Sequence, residues 1–110
     1  MNTITSIVYS VQDLDSAKAI QMALLGTPPT TDEPYYVGFT ADGIEIGLAP
    51  QQGNASPIVY VGVEDLDAAL SEVIQAGATV LNEPHDVGGG TRIATVTDLD
   101  GNTLGLIHHR

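Results

Sequence analysis

The chain has 110 residues, 43% hydrophobic and 15% charged, so it is long enough for one globular domain and unlike a disordered segment. Lys and Arg number 3 against 14 Asp and Glu, a formal net charge of −11, which argues against binding to a nucleic-acid backbone. With no cysteine, disulfides and thiolate metal sites are excluded. The first residues carry neither a basic flank nor a long apolar run, so no membrane span is expected and the cytoplasm is the expected location.

The acidity has two interpretations. One is a well-solvated surface that keeps the protein in solution. The other is attraction of a cationic small molecule to the protein.

The first half of the chain predicts a strand, a helix and then two strands. Residues 4–11 are rich in Ile, Val and Tyr, as strands are. Asp13 is a suitable N-cap for the helix that follows, and Gly26 stands where a left-handed C-terminal residue is needed. Strands are predicted over 35–40 and 44–49, joined by a tight turn at Asp42-Gly43.

The second half predicts the same order with one more strand. A strand over 58–63 precedes a helix capped by Asp65, with Gly77 after it. Strands over 79–87, 91–97 and 102–108 follow, the last two joined through Asp100-Gly101. A polar segment bounded by prolines, residues 50–57, is the predicted linker.

The two halves also repeat each other in sequence. The motif Asp-Leu-Asp at 13–15 recurs at 65–67, and "DGIEIGL" at 42–48 recurs as "DGNTLGL" at 100–106. A sheet covered by a helix on one face leaves the other face bare, and such a face needs a partner. The repeat therefore predicts two paired modules.

The Asp-Leu-Asp motif at the start of each helix and the Asp-x-Asp-Gly-Asn motif before the last strand resemble the vicinal oxygen chelate superfamily. This is the glyoxalase, bleomycin resistance and dioxygenase group. The resemblance spans essentially the whole chain and implies an α+β fold in which two paired βαβββ modules, with curled mixed sheets, enclose a cleft. The modules would be residues 1–52 and 53–110 of a single domain. A homodimer is also expected, because the family commonly forms dimers and exposed sheet edges need covering.

The same resemblance implies where a divalent metal would be held in the enzymes of the family, through His, Glu or Gln. Those positions here are Ser6 and Ile58 on the first strands and Gly47 and Gly105 on the last strands. None of them is a good ligand, so we expect no metal and no cofactor. His108 and His109 cannot both face one ion, because neighbouring strand residues point to opposite faces, and His85 lies in the Gly-rich connection, so the histidines do not replace the missing ligands.

Strand alternation assigns the remaining residues to faces. An apolar set, including Ile46, Leu48, Leu104 and Leu106, should lie under the helices. An aromatic contribution to the cleft could come from Phe39 or from Tyr36, according to which of them faces inward. The predicted ligand-binding residues are Ser6, Val8, Ser10, Phe39, Glu45, Gly47, Ile58, Tyr60, Thr103, Gly105 and Ile107. Gly47 and Gly105 would either widen the cleft for a ligand or relieve crowding in the curled sheet.

Three functions remain open at this point. The first is a metal-free protein that binds a small organic molecule, a metabolite or an antibiotic. The second is a lyase or isomerase in which Glu45 acts as base and Tyr60 donates to an enolate oxygen. The third is a purely structural or interaction protein whose cleft is filled by its own side chains.

Overall fold

The structure, a computed structural model, describes residues 2–50 and 57–109. It contains two helices and eight strands in the predicted order βαβββ-βαβββ. The first half comprises β1 (Thr3–Val11), α1 (Leu14–Leu25), β2 (Thr31–Glu33), β3 (Tyr36–Ala41) and β4 (Ile44–Pro50). The second comprises β5 (Ile58–Gly62), α2 (Leu66–Gln75), β6 (Thr79–Asp86), β7 (Arg92–Thr97) and β8 (Thr103–His108). The short strand β2 had no sequence signal, and the central part of the predicted linker, 51–56, lies outside the described residues.

The chain divides into two compact units. One consists of Thr5–Pro57, and the other of Met1–Ile4 together with Ile58–Arg110. In the first unit β1 pairs in parallel with β4, β4 antiparallel with β3, and β3 antiparallel with β2. In the second unit β5, β8, β7 and β6 pair in the same way and in the same order. The repeat seen in the sequence is therefore a repeat of strand topology, and the predicted α+β class is confirmed.

Both helices begin at the predicted aspartates. The side chain of Asp13 accepts a hydrogen bond of 3.0 Å from the backbone N–H of Ser16, and Asp65 accepts one of 3.0 Å from Ala68. Such caps satisfy N–H groups that have no partner inside the helix. Helix α1 ends at Gly26 in the left-handed conformation, with φ of 72°. Helix α2 ends instead at Ala76 in a right-handed conformation, one residue before the predicted Gly77.

Each helix covers one face of the strands in its unit. In the first unit Val37, Phe39 and Leu48 are buried and pack with residues that include Leu14 and Leu25 of α1. In the second unit Leu66 and Leu70 of α2 are buried with residues from β7 and β8, among them Val96 and Leu106. These clusters place Ile46, Leu48 and Leu106 under the helices as predicted, whereas Leu104, predicted to lie there too, is 43% exposed.

The two Asp-Gly turns differ although their sequences match. Asp42 and Gly43 have φ of 53° and 79° and form the predicted two-residue hairpin turn between β3 and β4. In the second unit Asp98 closes a longer loop, because its carboxylate accepts bonds from the backbone N–H groups of Asp100 and Asn102 and from the Asn102 side chain. The residues of the Asp-x-Asp-Gly-Asn motif thus form and stabilise the turn before β8.

We expect truncation of Phe39 to cost stability. Phe39 is fully buried, so Phe39→Ala removes many apolar contacts and leaves a cavity. The free energy of unfolding should fall by about 3–5 kcal/mol, measured by denaturant titration. Tyr35→Ala is the control, because Tyr35 is 72% exposed and its loss should change stability by no more than about 0.5 kcal/mol. Equal effects of the two substitutions would contradict the placement of Phe39 in the core.

The Asp98 loop gives a pH-dependent prediction. Hydrogen bonds, first that from the Asn102 side chain, hold the pKa of Asp98 below its ordinary value. Since the pKa of Asp98 is lower in the folded state than in the unfolded state, the hydrogen bonds to its carboxylate stabilise the fold at neutral pH. This stabilisation is lost as the pH falls through the folded-state pKa. Asn102→Ala should raise the pKa of Asp98, measured by NMR titration of its carboxyl carbon. Asn82→Ala, which removes a side chain bonded to Thr95 instead, should leave that titration unchanged.

Candidate functional site

The sheet surface opposite the helix in the first unit carries most of its predicted site residues. In the parallel pairing of β1 with β4, Ser6 is partnered with Glu45, Val8 with Gly47, and Ser10 with Ala49. Partnered residues point to the same side of a sheet, and this side is the one away from the Leu48 core. We call this surface the first site face; its members are Ser6, Val8, Ser10, Tyr36, Gly38, Thr40, Glu45 and Gly47.

The second unit has an equivalent surface. Tyr60 is partnered with Gly105 and Gly62 with Ile107 in the β5–β8 pairing, whereas Val61 is partnered with Leu106 of the core. We call this surface the second site face; its members are Ile58, Tyr60, Gly62, Thr95, Thr103, Gly105 and Ile107. The prediction that both faces enclose one cleft joins residues of the two units and stays a prediction.

Phe39 does not belong to the first site face, so the prediction that it binds a ligand is wrong. It is fully buried in the core with Val37 and Leu48. The reason is the alternation of β3, in which odd-numbered residues point to the helix and even-numbered ones point away. Tyr36, the alternative that the sequence left open, is the aromatic residue on the site face.

Tyr36 contacts both Glu45 and the strand surface beneath it. Its hydroxyl donates a hydrogen bond of 2.5 Å to Oε2 of Glu45, and the pair is partly buried. The ring lies over Gly47: a Cβ at that position would be 2.2 Å from the Tyr36 hydroxyl oxygen. Any residue other than glycine at 47 would therefore displace the tyrosine.

Tyr60 has a similar relation to Gly105 in the second unit. A Cβ at Gly105 would be 2.4 Å from Cδ1 of the Tyr60 ring, so the ring also requires a glycine beneath it. Burial raises the pKa of the Tyr60 hydroxyl, because it disfavours the charged phenolate. Of the two roles considered for these glycines, relief of crowding agrees with the structure, because a tyrosine ring fills the space above each of them.

The donor set at the four positions where the resemblance places metal ligands does not fit a divalent ion. One hydroxyl, one apolar side chain and two glycines covered by tyrosine rings offer at most a single oxygen donor, from Ser6. Across residues 2–50 and 57–109, no three His, Asp or Glu side chains group closely enough to hold a metal ion.

The three histidines make local hydrogen bonds. Nδ1 of His108 donates to the backbone oxygen of Val63 at 2.9 Å, since a carbonyl can only accept. His85 bonds through Nδ1 to the backbone oxygen of Glu83, and His109 to the hydroxyl of Thr91. His108 and His109 also border a depression of about 470 Å³ at the ends of β5 and β8, to which the site residues Gly62 and Ile107 contribute.

The sequence reasoning missed one polar pair on the second unit's sheet. Asn82 of β6 donates to the hydroxyl of Thr95, which is 4% exposed and partnered with Gly105. β6 pairs irregularly with β7, with register shifts between Val80 and Asn82 and again before His85. Simple alternation cannot follow a strand across such shifts, so only the neighbouring Thr95 could have been placed from its sequence pattern.

Comparison with known proteins extends the structural result. The model of the Glyoxalase/Bleomycin resistance protein/Dioxygenase superfamily matches residues 3–106. A protein of Vibrio cholerae serotype O1, described as a probable lactoylglutathione lyase, is 33% identical over 118 aligned residues that cover 91% of this chain and 86% of that protein. No described helix has the length and apolar character needed to cross a membrane.

Solved structures share the fold at lower identity. A hypothetical protein from Bacillus halodurans C-125 has a TM-score of 0.83 at 14% identity, covering 99% of this chain and 95% of its own. A methylmalonyl-CoA epimerase in complex with methylmalonyl-CoA and NH4+ has a TM-score of 0.75 at 20% identity, with coverages of 99% and 95%. With its βαβββ repeat, its motifs and a match along nearly its whole length, the chain belongs to the Glyoxalase/Bleomycin resistance protein/Dioxygenase superfamily.

Proposed function

We propose that this protein binds a small organic molecule on its site faces without a divalent metal. The observation that carries the proposal is the tyrosine ring over each glycine at 47 and 105, where the family resemblance places metal-ligating side chains. Tyrosine brings an aromatic surface and a hydroxyl to the position, which suits an organic ligand better than an ion.

The composition of the first site face supports the same function. Val8 and the tyrosine ring are apolar contacts, and Ser10 and Glu45 add a small number of polar groups. Small-molecule sites commonly combine a mainly apolar surface with a few polar groups that orient the ligand. In the second unit, Ile107 and Gly62 border the depression of about 470 Å³, whose lining also includes the polar residues Glu64 and His108.

A ligand screen with and without chelator tests the proposal. We expect spermidine, methylmalonyl-CoA or the hemithioacetal of methylglyoxal and glutathione to raise the melting temperature, and to do so equally after EDTA treatment. Isothermal titration with Zn²⁺ or Mn²⁺ should show no stoichiometric site. A tightly held divalent ion in protein purified without chelator, or ligand binding that disappears with EDTA, would contradict metal-independent binding.

A second candidate is a lyase or isomerase of this superfamily, favoured by the Tyr36–Glu45 hydrogen bond. The Glu45 carboxylate would take a proton from a carbon next to a carbonyl, and the C–H electron pair would form an enolate. If that carbon also carries a hydroxyl, as in the hemithioacetal, return of the proton to the former carbonyl carbon and transfer of the hydroxyl proton to the former carbonyl oxygen would complete an isomerisation with no net gain or loss of atoms. The name of the Vibrio cholerae relative, a probable lactoylglutathione lyase, is consistent with this class of chemistry.

The proposed reaction also needs a hydrogen-bond donor for the enolate oxygen. The sequence assigned that role to Tyr60, which lies in the other unit from Glu45. Their joint action stays a prediction, as do the homodimer and the cytoplasmic location.

Proton exchange separates the enzyme from the binding protein. In D₂O, an enzyme should incorporate deuterium next to the carbonyl of methylmalonyl-CoA or of the hemithioacetal, followed by NMR. Glu45→Gln should reduce this exchange by at least about 100-fold, because general-base catalysis contributes roughly 10²–10⁴-fold. The matched control Glu72→Gln changes an exposed carboxylate on α2 and should exchange at the wild-type rate. Unchanged exchange in Glu45→Gln would remove Glu45 from the reaction, and binding without exchange would favour the first candidate.

A further inference from the structure

We infer that Tyr36 is a positioning residue for Glu45. We also infer that Gly38 and Gly47, which are opposite each other on neighbouring strands, leave the space that the ring of Tyr36 occupies. The inference rests on the proposed function in one respect, namely that Glu45 is the group that meets the ligand. It adds Tyr36, to which neither the family resemblance nor the relatives assign a role, and it gives Gly38 and Gly47 a joint role as the space that the ring occupies.

The two glycines are directly opposite each other on neighbouring strands. Gly38 of β3 is partnered with Gly47 of β4, and both are buried. A Cβ at Gly47 would be 2.8 Å from Cε1 and Cζ of Tyr36, in addition to its clash with the hydroxyl. A Cβ at Gly38 would be 3.1 Å from Cε2 of the same ring and 3.3 Å from Oε1 of Glu45. The tyrosine ring and the carboxylate therefore both pack against the backbone of this glycine pair, where a side chain would leave no room for them.

The direction of the hydrogen bond fixes what each group offers to a ligand. An ionised carboxylate can only accept, so the Tyr36 hydroxyl donates to Oε2 of Glu45. Hydrogen bonds between a hydroxyl and a carboxylate are short and among the stronger ones in proteins. Holding Oε2 in this way restricts the rotamers of Glu45 and leaves Oε1 to meet the ligand in a defined direction.

A hydroxyl, and not a cation, holds this carboxylate in the described part of the chain. The ion pairs there join Lys18 to Asp32 and Arg92 to Asp67, and neither includes Glu45. A salt bridge would neutralise the carboxylate, whereas a neutral donor orients it and leaves its negative charge in place. The arrangement thus suits a group that must act as a base or receive a hydrogen-bond donor of the ligand.

The sequence repeat does not explain why Tyr36 and Glu45 lie together above two glycines. At the position that matches Glu45, the second unit has Thr103, although Gly47 and Gly105 correspond. The ring over Gly105 also comes from β5, whereas the ring over Gly47 comes from β3. The combination of carboxylate, hydroxyl and paired glycines is therefore specific to the first unit.

A ligand-free NMR experiment tests the geometry. The wild-type protein should show an exchange-protected, downfield tyrosine hydroxyl proton, and Tyr36→Phe should abolish it. Tyr35→Phe, the matched control at an exposed neighbour, should retain it. Gly47→Ala should also abolish the resonance, while Gly105→Ala, which crowds the ring of the other unit, should retain it. A resonance that survives in Tyr36→Phe, or is absent from the wild type, overturns the inference.

A binding experiment then tests whether the positioning matters. We expect Tyr36→Phe to weaken binding of spermidine, methylmalonyl-CoA or the hemithioacetal, whichever binds the wild type, by about tenfold in isothermal titration. Tyr35→Phe should bind it with wild-type affinity. Wild-type affinity in Tyr36→Phe, with binding lost in Glu45→Gln, overturns the role of Tyr36 but leaves the proposed function intact. If none of the three compounds binds the wild type, the proposed function loses its support, and the hydroxyl resonance still decides whether Tyr36 positions Glu45.

Discussion

The constraint on which the rest of this structure depends is the pleat of the strands. Successive side chains point to opposite sides, so every strand divides its residues between the helix-covered core and the opposite face. In β4 this rule sends Ile46 and Leu48 towards α1 and leaves Glu45 and Gly47 on the site face. A shift of one residue in the pairing would bury the carboxylate and expose the core, so the apolar core also fixes the position of the functional groups.

The glycines at 47 and 105 show how a family position can change its chemistry without changing the fold. Each is buried, and each lies beneath a tyrosine ring that could not stay if a Cβ were present. Because glycine has no side chain, each position leaves a space on its strand, and an aromatic residue on a neighbouring strand fills that space. Each of the two site faces therefore presents a phenol group at a position where the resemblance would place a ligand for a metal ion.

The two units share their topology but not their polar groups. Glu45 in the first unit corresponds to Thr103 in the second, and the hydrogen-bonded pair of Asn82 and Thr95 occurs in the second unit. The repeated backbone supplies two equivalent surfaces, whereas the side chains make them chemically different. The carboxylate is thus on the first site face, and the second site face carries Tyr60, whose hydroxyl has its pKa raised by burial.

The sequence by itself determined the order of all elements except β2, the capping aspartates and the faces of β1, β4, β5 and β8, because these follow from local hydrogen bonding and from alternation within a single strand. The sequence could not decide whether Phe39 or Tyr36 faces the site. Either alternation of the side chains of β3 was possible until the pairing of β3 with β4 fixed which residues point to the core. The short strand β2 and the irregular pairing of β6 also depend on partner strands and left no local signal. The contact of the Tyr36 hydroxyl with Glu45 was decided by the tertiary structure alone, because it requires two residues nine positions apart to lie over a glycine pair that only the folded sheet brings together.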